Sequence, residues 1–127
     1  DVTGVTTLDA ALTVAGSAVA GTSTDTSNTG NVTLDFSADN NFVLTLTGNT
    51  VLVNPSTEIV GQSGFITLIQ DGTGSRTLGV GNQYFGAGGA VPTISTAANS
   101  IDVIPYVVIA AGKILLGQAQ LAFADAS

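Results

Sequence analysis

The 127-residue chain contains no cysteine, no histidine, no tryptophan and no methionine. With no cysteine there can be no disulfide framework. The usual Ser–His and Cys–His pairs are also unavailable, because a hydroxyl or thiol nucleophile needs a neighbouring base to activate it. Positive charge is almost as scarce: Arg76 and Lys113 stand against nine acidic residues, for a net charge of −7. Two cations cannot supply the several phosphate contacts on which nucleic-acid affinity depends, nor the basic face of a membrane-surface helix. Charged residues make up 9% of the chain, against an ordinary share of about 25%. Long apolar runs are missing too. The best stretch, residues 101–111, is broken by Asp102 and Pro105 and falls short of the roughly 18 residues a membrane span requires.

What remains is 44% apolar, with glycine, threonine, serine, alanine and asparagine filling most of the rest. A disordered chain would be poorer in apolar residues and richer in charge. A chain of this length can bury a substantial core. Asp1 stands where a methionine would begin translation, so we expect a processed form or a piece of a longer polypeptide.

Residues 1–21, DVTGVTTLDAALTVAGSAVAG, repeat a short pattern: Val2-Thr3-Gly4 returns as Val14-Ala15-Gly16 and Val19-Ala20-Gly21. Val2, Val5, Leu8, Leu12 and Val14 are too few to form a private core, so the segment needs copies or partners to stack against. Residues 21–30, GTSTDTSNTG, hold no apolar group larger than a threonine methyl and read as a linker. We therefore expect a stalk or arm with its linker over residues 1–30, and a folded domain over residues 31–127.

From residue 31 the period is two. Val32, Leu34 and Phe36 alternate with polar residues, as do Phe42, Leu44 and Leu46, which predicts a hairpin-like pair of half-buried strands. Residues 65–70 are apolar on both faces and suit a central strand. Further strands are expected over 51–53 and 76–80, and a terminal hairpin over 101–111 and 113–123 turns at Gly112. Pro105 lacks an N–H and should sit at an edge or a bulge. Turn signals at these intervals indicate an all-β domain, an antiparallel, jelly-roll-like β-sandwich.

The glycine-rich stretch Asp71-Gly72-Thr73-Gly74-Ser75-Arg76 lacks the lysine of a phosphate loop, and a strand rather than a helix follows it. A tight turn closed by an Arg76–Asp71 pair explains it, with Arg76 also a candidate for an acidic sugar or a partner carboxylate. Tyr84 and Phe85, among glycines, can stack on a sugar ring or fill a partner's pocket, or can close the end of the sandwich. Lys113 reads as a solvated turn residue. The nine acids are scattered singly and read as turn formers or solvent-facing groups. Asp35, Asp39 and Asn40 lack calcium-loop spacing, so no metal and no cofactor is expected.

Several of these stretches together resemble the terminal domains of tail fibres and related virion proteins of marine and other environmental bacteriophages. They are NFVLTLTGNT (41–50), GQSG (61–64), IQDGTGSRTL (69–78), the aromatic-glycine loop 84–89, PTIS (92–95), ANSIDV (98–103) and the hairpin from Tyr106 to Phe123. Residues 1–21 are similar to the stalk repeats that precede such domains. The resemblance implies a virion structural protein that acts by contact and is not an enzyme: a fibre or spike tip.

On that reading we expect a homotrimer assembled with other virion proteins through Val2, Val5, Leu8, Leu12 and Val14. It would attach to a host-surface glycan or protein through Asp71, Arg76, Tyr84 and Phe85, with no nucleic-acid or membrane partner. Two other classes make different predictions. A capsid decoration or head-fibre protein would clamp the head lattice. A polysaccharide-degrading enzyme would set two carboxylates roughly 5–10 Å apart in a groove.

Overall fold

A computed structural model describes residue 1 and residues 3–127. Seven strands form one sheet: β1 Thr22–Val32, β2 Asn41–Leu52, β3 Ser63–Gln70, β4 Leu78–Val80, β5 Tyr84–Phe85, β6 Ile101–Ala110 and β7 Lys113–Leu116. Their order is β1-β2-β3-β6-β7-β5, and β4 pairs with the far half of β2. The all-β expectation holds. The antiparallel sandwich gives way to a curled, mixed sheet shaped as a half-barrel. β1, β3 and β4 all run parallel to β2, and only β3–β6 and β6–β7 are antiparallel.

The expected hairpin of 31–36 with 42–47 is therefore absent. The stretch expected to be a linker is β1, an edge strand whose backbone pairs with β2 from Thr22–Asn41 to Val32–Leu52. Its residues are exposed except for half-buried Ser23, Val32, which packs against the core, and buried Asn28, whose side-chain amide donates to the carbonyls of Asp25 and Thr45 at 3.1 Å each. Backbone pairing makes this strand, not burial, so hydrophobic periodicity carries no trace of it. Leu34 and Phe36 are buried as expected, but they lie on the crossover between β1 and β2. A parallel pair needs such a crossover, since a tight turn cannot return the chain to the same end.

Register breaks in β1 between Asp25 and Gly30 let it follow β2 over the end of the sheet. β2 pairs with β3 over Phe42–Leu46 and with β4 over Thr50–Leu52. Beyond that bend the chain returns across the core: the Gly81 N–H donates to Leu52, and the Ile114 N–H donates to Gln83. The sheet thus curls around its core without a second sheet.

Alternation then sorts the side chains. Phe42, Leu44 and Leu46, Ile66 and Leu68, Ile104, Tyr106 and Val108, and Ile114 and Leu116 all point inward. Phe36 plugs one end, edge-on to Phe42 at 5.1 Å and to Tyr106 at 5.3 Å. The Tyr106 hydroxyl donates to the Asn40 carbonyl at 2.6 Å, and burial pushes its pKa up to about 12. The core is anchored by this one satisfied phenol.

Pro105 lies in β6, which is flanked on both sides and is not an edge strand. Its position still obeys the rule: its carbonyl accepts from Gly117 on the β7 side, where the ladder stops after Tyr106–Leu116 and resumes as a lone Val103–Gln120 bridge. The missing N–H falls in that break. The terminal hairpin is correspondingly shorter than expected on its second arm.

Residues 3–20 carry no strand or helix and are exposed throughout. Val5, Leu8, Leu12 and Val14, expected at a shared interface, are exposed by 98%, 53%, 71% and 47%, and Val2 lies outside the described residues. Among the described residues no helix is long and apolar enough to cross a membrane.

Candidate functional site

The two ends of the half-barrel differ. At the end where β1 begins, the Gly21 carbonyl accepts the N–H groups of both Asn40 and Asn41, which fixes the root of the N-terminal segment. At the opposite end, beyond Gln70, the loops 71–77 and 95–100 meet the bends of β1 and β2. This second end is built almost wholly of neutral polar groups.

Loop 71–77 is not the turn of a hairpin. β3 and β4 lie in line along β2, and the loop is an excursion between them. Asp71 organises it. One carboxylate oxygen accepts the N–H groups of Thr73 and Gly74 at 3.1 and 2.9 Å, and Arg76 closes on the carboxylate with Nε at 3.2 Å and Nη2 at 2.8 Å. The Arg76 hydrogen bond, followed by the Gly74 N–H, holds the Asp71 carboxyl below its ordinary range. The pairing inferred from sequence is present, and it leaves Arg76 holding the loop with its charge met inside the molecule.

Gln70 is the residue that sequence reading missed here. Buried at the end of β3, its amide donates to the carbonyls of Arg76 and Ser95 at 2.9 Å each and accepts the Arg76 N–H at 2.9 Å. Asp102 does the same for the second loop. It is 2% exposed and accepts the Ser95 N–H at 2.5 Å, the Ser95 hydroxyl at 2.7 Å and the Ala122 N–H at 2.8 Å. Taking Asp102 for a solvent-facing acid was wrong: the signal was its inward place in the Ile101–Ala110 alternation.

With these anchors in place, the Ser75 N–H donates to Thr96 and the Asn99 N–H to Asp71. Both Ser75 and Asn99 adopt the left-handed backbone region, at φ 61° and 60°. Such positions in residues other than glycine are held only where the surroundings over-determine them, and they gather at functional sites. Thr73, Ser75, Thr96 and Asn99 are exposed on this rigid frame.

The aromatic candidates lie elsewhere. Tyr84 is buried, its ring in the core, so it is withdrawn from any surface contact. Burial, and secondarily the Glu58 carboxylate, raise its pKa well above the ordinary tyrosine range. Phe85 is exposed, with the Lys113 ammonium 5.4 Å above its ring, so Lys113 is more than a solvated turn residue. Phe85 sits level with Leu115 and Val107, seven or so residues along β6 from the polar loops, roughly 20 Å at the rise of a strand. The Asp71–Arg76 loop and Phe85 are separate surfaces.

A cleft of about 140 Å³ opens beside β1, lined by Asp25, Asp35 and Asp39 with Phe42 and Leu44 at its floor. Ser37 donates its hydroxyl and N–H to Asp35 and holds that carboxyl below its ordinary range. Among the described residues no three acidic groups surround a common point as metal ligands would.

Residues 22–113 match a family model described as "putative phage tail fibre C-terminal domain". The chain belongs to this tail fibre family. The matched region begins at the first residue of β1 and ends at the first of β7, so it takes in six of the seven strands and both polar loops, and leaves out the exposed N-terminal segment and the rest of β7. The tail fibre domain is a phage structural component located in the virion particle, associated with other virion proteins. Neither curated proteins nor solved structures gave a match.

Proposed function

We propose that this tail fibre domain is the attachment tip of a trimeric fibre, binding a host-surface glycan through the loop end of its half-barrel. The observation that carries the proposal is polarity of construction. The N-terminal segment leaves from one end of the sheet, beside Asn40 and Asn41. The rigid loops 71–77 and 95–100, with their two left-handed residues, lie at the other end. A domain carried on an N-terminal stalk over residues 1–20 therefore presents these loops outward.

Thr73, Ser75, Thr96 and Asn99 offer hydroxyls and an amide without charge, which suits the hydroxyls of a neutral sugar. The frame is already ordered by Gln70, Asp71 and Asp102, so binding orders little further backbone. The domain works by contact and catalyses no reaction.

Two measurements test this. Labelled antibody against the domain should mark tail tips in intact particles, and label on the capsid would overturn the attachment reading in favour of a decoration protein. On an array of bacterial surface polysaccharides the domain should bind at least one neutral glycan. Thr73→Trp or Asn99→Trp should weaken that binding roughly tenfold or more, whereas Phe85→Ser should leave it unchanged. Loss with Phe85→Ser and none with the loop variants would place recognition on the wrong end.

A further inference from the structure

The alternation that fills the core also determines what faces outward at the end where the N-terminal segment leaves. On β3 it is Phe65, on β6 Pro105 and Val107, on β7 Leu115 and on β5 Phe85. Register places them side by side: Phe65 opposite Pro105, Val107 opposite Leu115, and Leu115 opposite Phe85. Phe65 is 53% exposed and Phe85 42%. A shallow depression of about 240 Å³ runs along this strip between Pro105, Val107, Leu115 and Gly117. We propose that the strip is the seat for the N-terminal arm, residues 3–20, of a second copy of the chain.

Three observations select that occupant. The first is a matched pair of uncovered apolar surfaces in one molecule: the strip, and an arm on which Val5, Leu12 and Val19 are 98%, 71% and 91% exposed. The arm's own strip is awkward to reach. Gly21 is held by two hydrogen bonds and packed against Asp39, so the arm continues off the end of β1. Reaching its own strip would demand a reversal at that fixed root; a neighbouring copy demands none.

The second is charge. Over residues 3–20 the arm carries Asp9 and no lysine or arginine, and the strip residues themselves carry no carboxylate and lie beside Lys113, whose ammonium stands over Phe85; the neighbouring Glu58 carboxylate accepts the Gly112 N–H. Arg76, the other cation, is already paired with Asp71 at the far end.

The third is area. A phenylalanine side chain presents roughly 200 Å², so the two exposed rings contribute on the order of 200 Å². Even with Val107 and Leu115 the strip falls short of the roughly 800 Å² that each partner of a stable pair covers. Strip against strip is too small. Arm on strip, with each copy giving one of each, supplies the missing apolar surface.

The inference rests on the multi-copy fibre proposed above, and its test separates the two. The chain has no cysteine, so introduced thiols have no competitors. Leu12→Cys chains mixed with size-tagged Val107→Cys chains should yield a disulfide-linked pair of mixed size under mild oxidation. Leu12→Cys with Thr73→Cys, at the loop end, should yield none. The double exchange Phe65→Ser with Val107→Ser lies on an exposed face and should raise the concentration at which the assembly dissociates by roughly tenfold.

Assembly into trimers without the mixed-size link would overturn the arm-on-strip contact while leaving the fibre reading intact. So would a link formed within one dilute chain carrying both Leu12→Cys and Val107→Cys. A link formed by a protein that labels the capsid would leave the contact standing and remove the attachment role.

Discussion

Asp102 has the largest consequence of any single acid in the chain. Its carboxylate meets the Ser95 N–H and hydroxyl and the Ala122 N–H, out of reach of water. Asp102→Ala leaves these donors without their acceptor, the two on half-buried Ser95 foremost, and an unmet buried group costs on the order of 1–3 kcal/mol. We expect a loss of about 3 kcal/mol in urea unfolding, with loop 95–100 the first region to lose amide protection. Tyr84 makes the contrasting case. Its hydroxyl is buried without a hydrogen-bond partner among the described residues. Tyr84→Phe removes a desolvated polar atom and keeps the ring, so thermal melting should show a midpoint at or above that of the wild type.

Asp71 is one source of pH dependence, alongside Asp35 and Asp125, whose carboxyls are also held low. Its folded pKa lies below the unfolded value, first through the Arg76 hydrogen bond and then through the Gly74 N–H. Such a group adds stability in full above the ordinary carboxylate pKa of about 4 and loses it as pH falls through the lower folded value. Asp71→Asn should therefore melt below the wild type near about pH 7, with the gap closing as both are taken well below about pH 3. A gap that persists in acid would mean that Asp71 acts by shape alone. The pair is partly exposed, so the effect should also shrink in high salt.

At the scale of elements, the crossover between β1 and β2 does what the expected hairpin would have done. It carries Leu34 and Phe36 into the core and lets β1 lie parallel to β2. Phe36→Ala should cost about 4 kcal/mol, the usual loss for a large buried aromatic, because Phe42 and Tyr106 lose the ring packed edge-on between them. The same crossover explains why this part of the fold was misread. Alternation at Val32, Leu34 and Phe36 reports which side chains go inside, and both hairpin and crossover satisfy it.

β3 was legible as a continuous apolar run and β6 as the first arm of a hairpin turning at Gly112; in the fold Ile66 and Leu68, then Ile104, Tyr106 and Val108, take the inward face. β1 was invisible because its only buried side chain is Asn28, and asparagine is also the residue one expects in a turn. Of the site, the Asp71–Arg76 pair could be read from a spacing of five residues. The anchoring by Gln70 and Asp102 could not, since each reaches a loop only after β3 and β6 are paired.

At the scale of the whole molecule, a net charge of −7 sets the conditions for assembly. Copies repel one another at long range, while the proposed contact is apolar. Added salt should screen the repulsion and leave the contact, so sedimentation should show heavier species as ionic strength rises from low to about 0.5 M, where the screening length is only a few ångströms. Dissociation by salt would mean that the copies are held by charge instead, which would contradict an apolar seat for the arm.

By itself the sequence determined that this protein is all-β, with neutral polar surfaces and few titratable groups, and the motifs placed it near the tail fibres to which it belongs. Composition and period-two alternation suffice for that, because they state which residues must leave water. Tertiary structure decided the direction of the strands, the withdrawal of Tyr84 into the core and the separation of Phe85 from the polar loops. Backbone hydrogen bonds between distant segments settle those matters, and a backbone donor or acceptor is the same in every residue but proline.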